Sequence, residues 1–272
     1  MGVLTAGLDI GSVGVKAVLM EDGRIVSSIL LPTGWNPGES GRVAMRHLLG
    51  ETGSCAGEVT FTVATGYGRK TFKDADRYMT EITCHARGAT HLFPGARAIL
   101  DIGGQDSKAI CLGADGEVKD FLMNDKCAAG TGRFLESMAV LLEYDFQDFS
   151  KLPFDMEPHP ISAMCTVFAE SEVIGLLAKG VDKRAIALGL LDSIASRAEG
   201  MMKRVGGQGP VVFTGGLSQS KNLAAFLEKR LERTILRSKM SQFAGAIGAA
   251  LLGEYAKTPH DGYDVRPLCK AC

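Results

Sequence analysis

Two short segments place a carboxylate, a glycine turn and a lysine at the same spacing. Residues 8–17 read LDIGSVGVKA and residues 100–109 read LDIGGQDSKA, identical at six of ten positions with a constant offset of 92. In each, an apolar run ends in an aspartate, Asp9 or Asp101. The turns that follow hold Gly11, Ser12, Val13 and Gly14 in the first copy, and Gly103, Gly104 and Gln105 in the second. Lys16 and Lys108 close the two segments. Glycines let backbone N–H groups approach an anion closely, and Ser12 adds a hydroxyl. Strand-end carboxylates suit a hydrated Mg²⁺ ion. A third glycine turn, Gly215-Gly216, follows the apolar run Val211-Val212-Phe213-Thr214. Neither the P-loop pattern nor the dinucleotide G-x-G-x-x-G pattern stands at these strand ends. One such turn is common and structural. Two duplicated turns and a third point to a phosphate-bearing ligand.

Two cysteines carry a second kind of chemistry. Cys127 lies in NDKCAAGTGRFLE, and Cys165 begins CTVFAESEVI. Each is expected to stand immediately before a helix, where unsatisfied N–H groups and the helix dipole favour a thiolate. Spacing alone leaves two readings open, metal ligands or ordinary buried thiols. A [4Fe–4S] cluster takes four thiolates and this pair offers two, so a twofold dimer would be needed to complete it. Cys55, Cys84 and Cys111 read as structural. Cys269 and Cys272 form a terminal C-x-x-C that reads as inert or weakly functional. His85 and His91 lie on a predicted helix and read as ordinary.

The elements that position these residues follow from hydrophobic period. Each repeat reads as strand, turn, strand, turn, strand, with Asp22-Gly23 and Asp115-Gly116 as hairpin signals. A loop is expected over 32–41, a helix over 42–49, a strand over 58–64 and a helix over 81–93. Beyond Asn124 the period changes to three and four. Helix faces form around Phe134, Leu135 and Met138, around Val173, Ile174 and Leu177, and over 185–204. A buried strand at 210–214 and helices over 222–233 and 244–255 complete an α/β alternation. The duplication predicts two similar lobes, 1–93 and 94–243, with a helix at about 244–256 returning to the first. The tail at 257–272 has no period and is expected to be exposed.

Composition narrows the function classes. The chain has 272 residues, 46% of them hydrophobic, and a net charge of −1. That suffices for a real core and gives no reason to expect nucleic acid or an anionic membrane as partner. No basic leader followed by an apolar run begins the chain, and no apolar stretch is long enough to span a bilayer. Seven cysteines, an odd number, fit reduced thiols better than a disulfide framework, so a cytoplasmic location is expected.

The three glycine turns resemble the two phosphate motifs and the adenosine motif of the acetate and sugar kinase, heat-shock chaperone and actin superfamily. That resemblance implies two actin-like, ribonuclease H-like lobes around an ATP cleft. It implies that Asp9, Gly11, Ser12, Val13, Gly14 and Lys16 meet the phosphates from one side and Asp101, Gly103, Gly104 and Gln105 from the other. Gly215 and Gly216 would lie against adenosine, Asp9 and Asp101 would hold Mg²⁺ through water, and Asp101 or Gln105 would orient the attacking water. The segments around Cys127 and Cys165, with ATGYGR at 64–69, resemble the 2-hydroxyacyl-CoA dehydratase activators and the ATP-binding subunits of benzoyl-CoA reductase. The likeness spans residues 4–256. It implies a homodimeric, oxygen-sensitive ATPase with one [4Fe–4S] cluster held by Cys127 and Cys165 of both subunits. It implies ferredoxin or flavodoxin as electron donor. The acceptor would be a 2-hydroxyacyl-CoA dehydratase, a benzoyl-CoA-type reductase or a double-cubane cluster protein. Val13 departs from the threonine often found there, removing one hydroxyl near the phosphates. The alternatives are a small-molecule kinase of the same fold, or an ATP-dependent switch without a redox role.

Overall fold

The computed structural model describes residues 2–149, 152–154, 156–162 and 165–257; the tail carrying Cys269 and Cys272 lies outside them. Each repeat forms an antiparallel meander. β1 (Leu4–Ile10), β2 (Gly14–Glu21) and β3 (Arg24–Pro32) make the first, and β6 (Ala98–Ile102), β7 (Ser107–Leu112) and β8 (Val118–Asn124) the second. Asp22 and Gly23 both take positive φ, 48° and 74°, as a two-residue hairpin of this hand requires. The second hairpin is longer and closes with Gly113 N–H donating to the Glu117 carbonyl at 2.8 Å.

A parallel strand then joins each meander beside its first strand. β4 (Phe61–Thr65) pairs with β1, and β9 (Val211–Thr214) pairs with β6. Two-residue strands, β5 (Arg77–Tyr78) and β10 (Ile235–Leu236), finish the outer edges. The sheets run β3-β2-β1-β4-β5 and β8-β7-β6-β9-β10, the same order twice. The duplication therefore extends past the ten-residue motif to whole five-stranded sheets. β1 and β6 sit at the centre, buried on both faces, which explains why they read as near-continuous apolar runs.

Helices cover both faces of each sheet. α1 (Pro37–Thr52) packs Ala44 and Leu48 on Leu8 and Ile10 of the first, with Phe72 from the loop after β4. It starts inside the segment expected to be a loop, because Asn36 caps it by accepting from Glu39 N–H at 3.2 Å and Pro37 occupies its first turn. In the second half, α3 (Gly132–Leu141), α4 (Phe146–Phe149), α5 (Thr166–Ala178), α6 (Lys183–Val205) and α7 (Lys221–Leu231) build one large core with β6 and β9.

The two remaining helices cross between the halves. α8 (Ala244–Lys257) lays Ala246, Ile247 and Ala250 on Val18 and Met20 of the first sheet. α2 (Glu81–Leu92) lays Ala86 and Ala89 on Ile99, Ile110 and Val212 of the second. The two pack on each other through glycine: a Cβ on Gly88 would meet the Ala244 carbonyl oxygen at 1.9 Å, and one on Gly248 the Cys84 oxygen at 1.8 Å. Among the described residues no helix is long and apolar enough to cross a membrane.

Candidate functional site

The duplicated turns open onto one cleft between the sheets, a cavity of about 220 Å³. Asp9, Gly11, Ser12, Val13, Gly14 and Lys16 line it from the first repeat, and Asp101, Gly103, Gly104 and Gln105 from the second. Each turn is closed in the same way: Gly11 N–H donates to the Gly14 carbonyl at 3.1 Å, and Gly103 N–H to the Asp106 carbonyl at 2.9 Å. The parallel strands add a matched pair. Thr65 sits opposite Asp9, and Thr214 opposite Asp101. The next residue is a glycine with positive φ in both cases, Gly66 at 92° and Gly215 at 82°. A Cβ would strike the Ile10 carbonyl oxygen at 2.4 Å in one and the Ile102 oxygen at 2.3 Å in the other. So the third glycine turn has a counterpart, Thr65-Gly66, in the first lobe. Gly215 lines the cleft, whereas Gly216 is outside its lining.

The two aspartates differ in their surroundings. Asp101 is 2% exposed and its carboxylate is held from both sides. Lys108 Nζ lies 3.1 Å from Oδ2, Thr214 donates its hydroxyl to Oδ1 at 3.0 Å, and His85 Nδ1 lies 3.4 Å from Oδ1. Burial raises the carboxyl's pKa, but the charges of His85 and Lys108 and the hydrogen bonds from Lys108 and Thr214 outweigh it, holding it down at about 2. Lys108 also meets Glu81 at 2.8 Å and Asp106 at 2.9 Å. Burial would lower its pKa, and three carboxylates reverse that and raise it. Burial raises the Asp106 carboxyl, with Lys108 opposing. Asp9 carries far less: among the described residues its ion pair is Lys16, at 4.0 Å.

The second turn is tied both to the first turn and to the helix after Cys127. A Cβ on Gly104 would meet Val13 Cγ2 at 2.3 Å, so only glycine lets the two turns come this close. The carbonyls of Gly103 and Gly104 accept the N–H groups of Gly132 and Arg133 at 2.9 and 2.8 Å. These are first-turn donors of α3, which otherwise lack intrahelical partners. Between Asn124 and that helix, Asn124 Nδ2 donates to the Cys127 carbonyl at 3.0 Å, and the Thr131 hydroxyl donates to the Ala128 carbonyl at 2.6 Å.

Cys165 is the N-cap of α5, as the sequence led us to expect. Cys127 is not at a helix start: α3 is capped by Thr131, and Cys127 precedes that cap in a turn. Gly130 takes φ 97°, outside the right-handed helical region, so the helix begins only after it. Cys127 and Cys165 are both exposed. Cys84 is buried, and burial pushes its thiol up to about 12. Among the described residues no group of three or more His, Cys, Asp or Glu side chains converges as a metal site.

Several lining residues went unread in the sequence. Glu81, His85 and Asp106 reach the cleft, as do Tyr67 and Asp125. His85 corrects the expectation of an ordinary helix histidine. Its signal is weak, one buried polar residue on a helix of small residues, and only the crossing of α2 onto the second sheet brings it to Asp101.

The family model of the BadF/BadG/BcrA/BcrD ATPases matches residues 6–253. The activator of lactoyl-CoA dehydratase from Anaerotignum propionicum is 45% identical over 250 residues, 91% of this chain and 96% of that protein. Component A of the (R)-2-hydroxyglutaryl-CoA dehydratase of Acidaminococcus fermentans is 41% identical, with a TM-score of 0.89 over 93% of this chain and 98% of that one. The activator of 2-hydroxyisocaproyl-CoA dehydratase from Clostridium difficile, solved with bound ADPNP, is 38% identical, with a TM-score of 0.87 over 93% and 95%. The duplicated sheets around a shared cleft are the actin-like ATPase fold. On the length and identity of these matches, the chain belongs to the BadF/BadG/BcrA/BcrD ATPase family.

Proposed function

We propose that the protein is an ATP-hydrolysing activator that couples nucleotide turnover to delivery of one low-potential electron. The acceptor is a 2-hydroxyacyl-CoA dehydratase, a benzoyl-CoA-type reductase or a double-cubane cluster protein, and the donor a ferredoxin or flavodoxin. The working unit is a homodimer with one [4Fe–4S] cluster, ATP or ADP, and Mg²⁺.

The observation that carries this reading is the pair of hydrogen bonds from Gly132 and Arg133 to Gly103 and Gly104. They make the second phosphate turn and the start of α3 one mechanical unit. A shift of that turn with the γ-phosphate is thereby passed to the segment bearing Cys127. The lobes at 1–93 and 94–243 shift across the α2–α8 layer, with α8 seated on the first. Ser12 and the N–H groups of the two turns other than those of Gly11 and Gly103, which close the turns, meet the phosphates. Gly215, on the cleft wall, faces adenosine with Gly216 next to it in the turn, and Gln105 orients the attacking water with Asp101 fixed behind it. Asp9, which of the two strand-end carboxylates has the fewer protein donors, would hold Mg²⁺ through water, and Asp101 would contribute charge from beneath. Lys108 is one ammonium against three carboxylates, so the cleft keeps an excess of negative charge that a divalent cation offsets.

The cysteines fit a shared cluster. One chain offers two exposed thiols, Cys127 and Cys165, and two copies complete a four-thiolate set. A [4Fe–4S] cluster bound there supplies one-electron chemistry. Val167 and Phe168, exposed in the first turn of α5, give the apolar surface that a second copy would cover. Raising one electron by about 250 mV costs about 6 kcal/mol, which is why the transfer is tied to a phosphoanhydride.

ATP turnover by the anaerobically purified protein tests the nucleotide half. Asp9→Asn is expected to lower kcat by about a hundredfold while iron content stays at the wild-type level. Full turnover in Asp9→Asn, or none in the wild type, contradicts the assignment.

A further inference from the structure

His85 occupies a position that the ATPase reading leaves without a role. It sits in the middle of α2, 3% exposed, and lines the cleft. Its Nδ1 lies 3.2 Å from Thr214 Oγ1, and the Thr214 hydroxyl donates its one proton to Asp101 Oδ1 at 3.0 Å. Thr214 oxygen therefore accepts, and His85 Nδ1 carries the donated proton. The relay runs from His85 Nδ1–H to Thr214, and from Thr214 to Asp101.

The other edge of the ring faces the first lobe. A Cβ on Gly245, at the start of α8, would lie 3.0 Å from both His85 Nε2 and Asp9 Oδ2. The two atoms border the same small space, which stays open because residue 245 has no side chain. One imidazole thus connects to the strand-end carboxylate of the second sheet and looks onto that of the first. It does so from the helix that packs on both α8 and the second sheet. Burying a polar ring there is costly unless its hydrogen bonds are made, so the bond to Thr214 ties its placement to the second sheet.

We propose that His85 is a positioning residue of the hydrolytic site: it orients Asp101 both through Thr214 and directly, with Nδ1 3.4 Å from Oδ1, while its Nε2 edge bounds the small space beside Asp9 during turnover. This rests on the ATPase reading above. It assigns His85 no contact with nucleotide, so its effect falls on kcat and leaves binding alone.

The nitrogen geometry gives a discriminating test. An asparagine amide nitrogen can occupy the place of Nδ1, whereas a glutamine amide reaches the place of Nε2. ATP turnover and ADPNP affinity are measured for His85→Asn, His85→Gln and Gly245→Ala beside wild type, with the unfolding midpoint of each. His85→Asn is expected within about threefold of wild-type kcat, and His85→Gln lower by about tenfold or more. Gly245→Ala, which adds a methyl to the shared space and removes no functional group, is expected to lower kcat at least about threefold. ADPNP affinity is expected within about twofold of wild type in all three. Equal kcat in the asparagine and glutamine variants, or loss of ADPNP binding in step with kcat, overturns the proposal. A wild-type protein without ATP turnover would instead overturn the ATPase reading itself, so the two failures are told apart by the wild-type assay.

Discussion

Asp101 and Asp9 are identical in the sequence repeat and unlike in the folded protein. Asp101 is enclosed by Lys108, Thr214 and His85, and Asp9 is left with a distant lysine. This has a consequence for acid stability. The Asp101 carboxyl falls from an ordinary 3.8 to about 2 on folding, so its stabilising contribution is present above pH 4 and is lost as pH falls through 2. Urea unfolding of wild type is expected to lose about 2 kcal/mol more than Asp101→Asn between pH 4 and pH 2. Parallel acid profiles for the two proteins would show that Asp101 carries no such contribution. At this scale the repeat LDIG…KA made the site's outline legible, because each residue type has a fixed place relative to its own strand. The partners of Asp101 were not legible. Thr214 stands 113 positions away, and His85 arrives from a helix whose packing no local pattern specifies. Lys108 shows the same limit: its place in the repeat marks it out, but its three carboxylates come from β6, the following turn and α2.

Elements with a strong period were readable and short ones were not. The long helices and central strands follow from spacing of apolar residues, and the predicted helix over 185–204 is found as Lys183–Val205. The strands Arg77–Tyr78 and Ile235–Leu236 are two residues long and draw their stability from the neighbouring strand, so they leave no signal of their own. α1 was misread at its start because Asn and Pro mark both loops and helix caps. The contact between α2 and α8 rests on Gly88 and Gly248, where each backbone fills the space a Cβ would need. Gly248→Ala must separate the helices or distort one of them. The expected loss is about 2 kcal/mol or more, read as a lower urea midpoint at unchanged slope. An unchanged midpoint would mean the helices yield freely and the layer is loosely packed.

Over the whole molecule, gene-level duplication appears as two sheets with one strand order, and a cleft where their carboxyl ends meet. The ten-residue repeat already implied two lobes, whereas the crossing of α2 and α8 was only half visible, through the expected return of the final helix. The cleft and the Cys127 segment are connected by a separate route. The nucleotide turns meet at Val13 and Gly104, the second turn is bonded to α3, and α3 follows the Cys127 turn. A dimer cannot be read from one chain by period or burial; the proposed one rests on reading the two exposed thiols, Cys127 and Cys165, as half of a cluster's ligand set. Iron and acid-labile sulfide per protein dimer, on protein purified without oxygen, test the shared cluster most directly. About four of each per dimer are expected, lost in both Cys127→Ser and Cys165→Ser while ADPNP still binds. Iron-free protein after anaerobic reconstitution, or a full complement of iron in either serine variant, would contradict it.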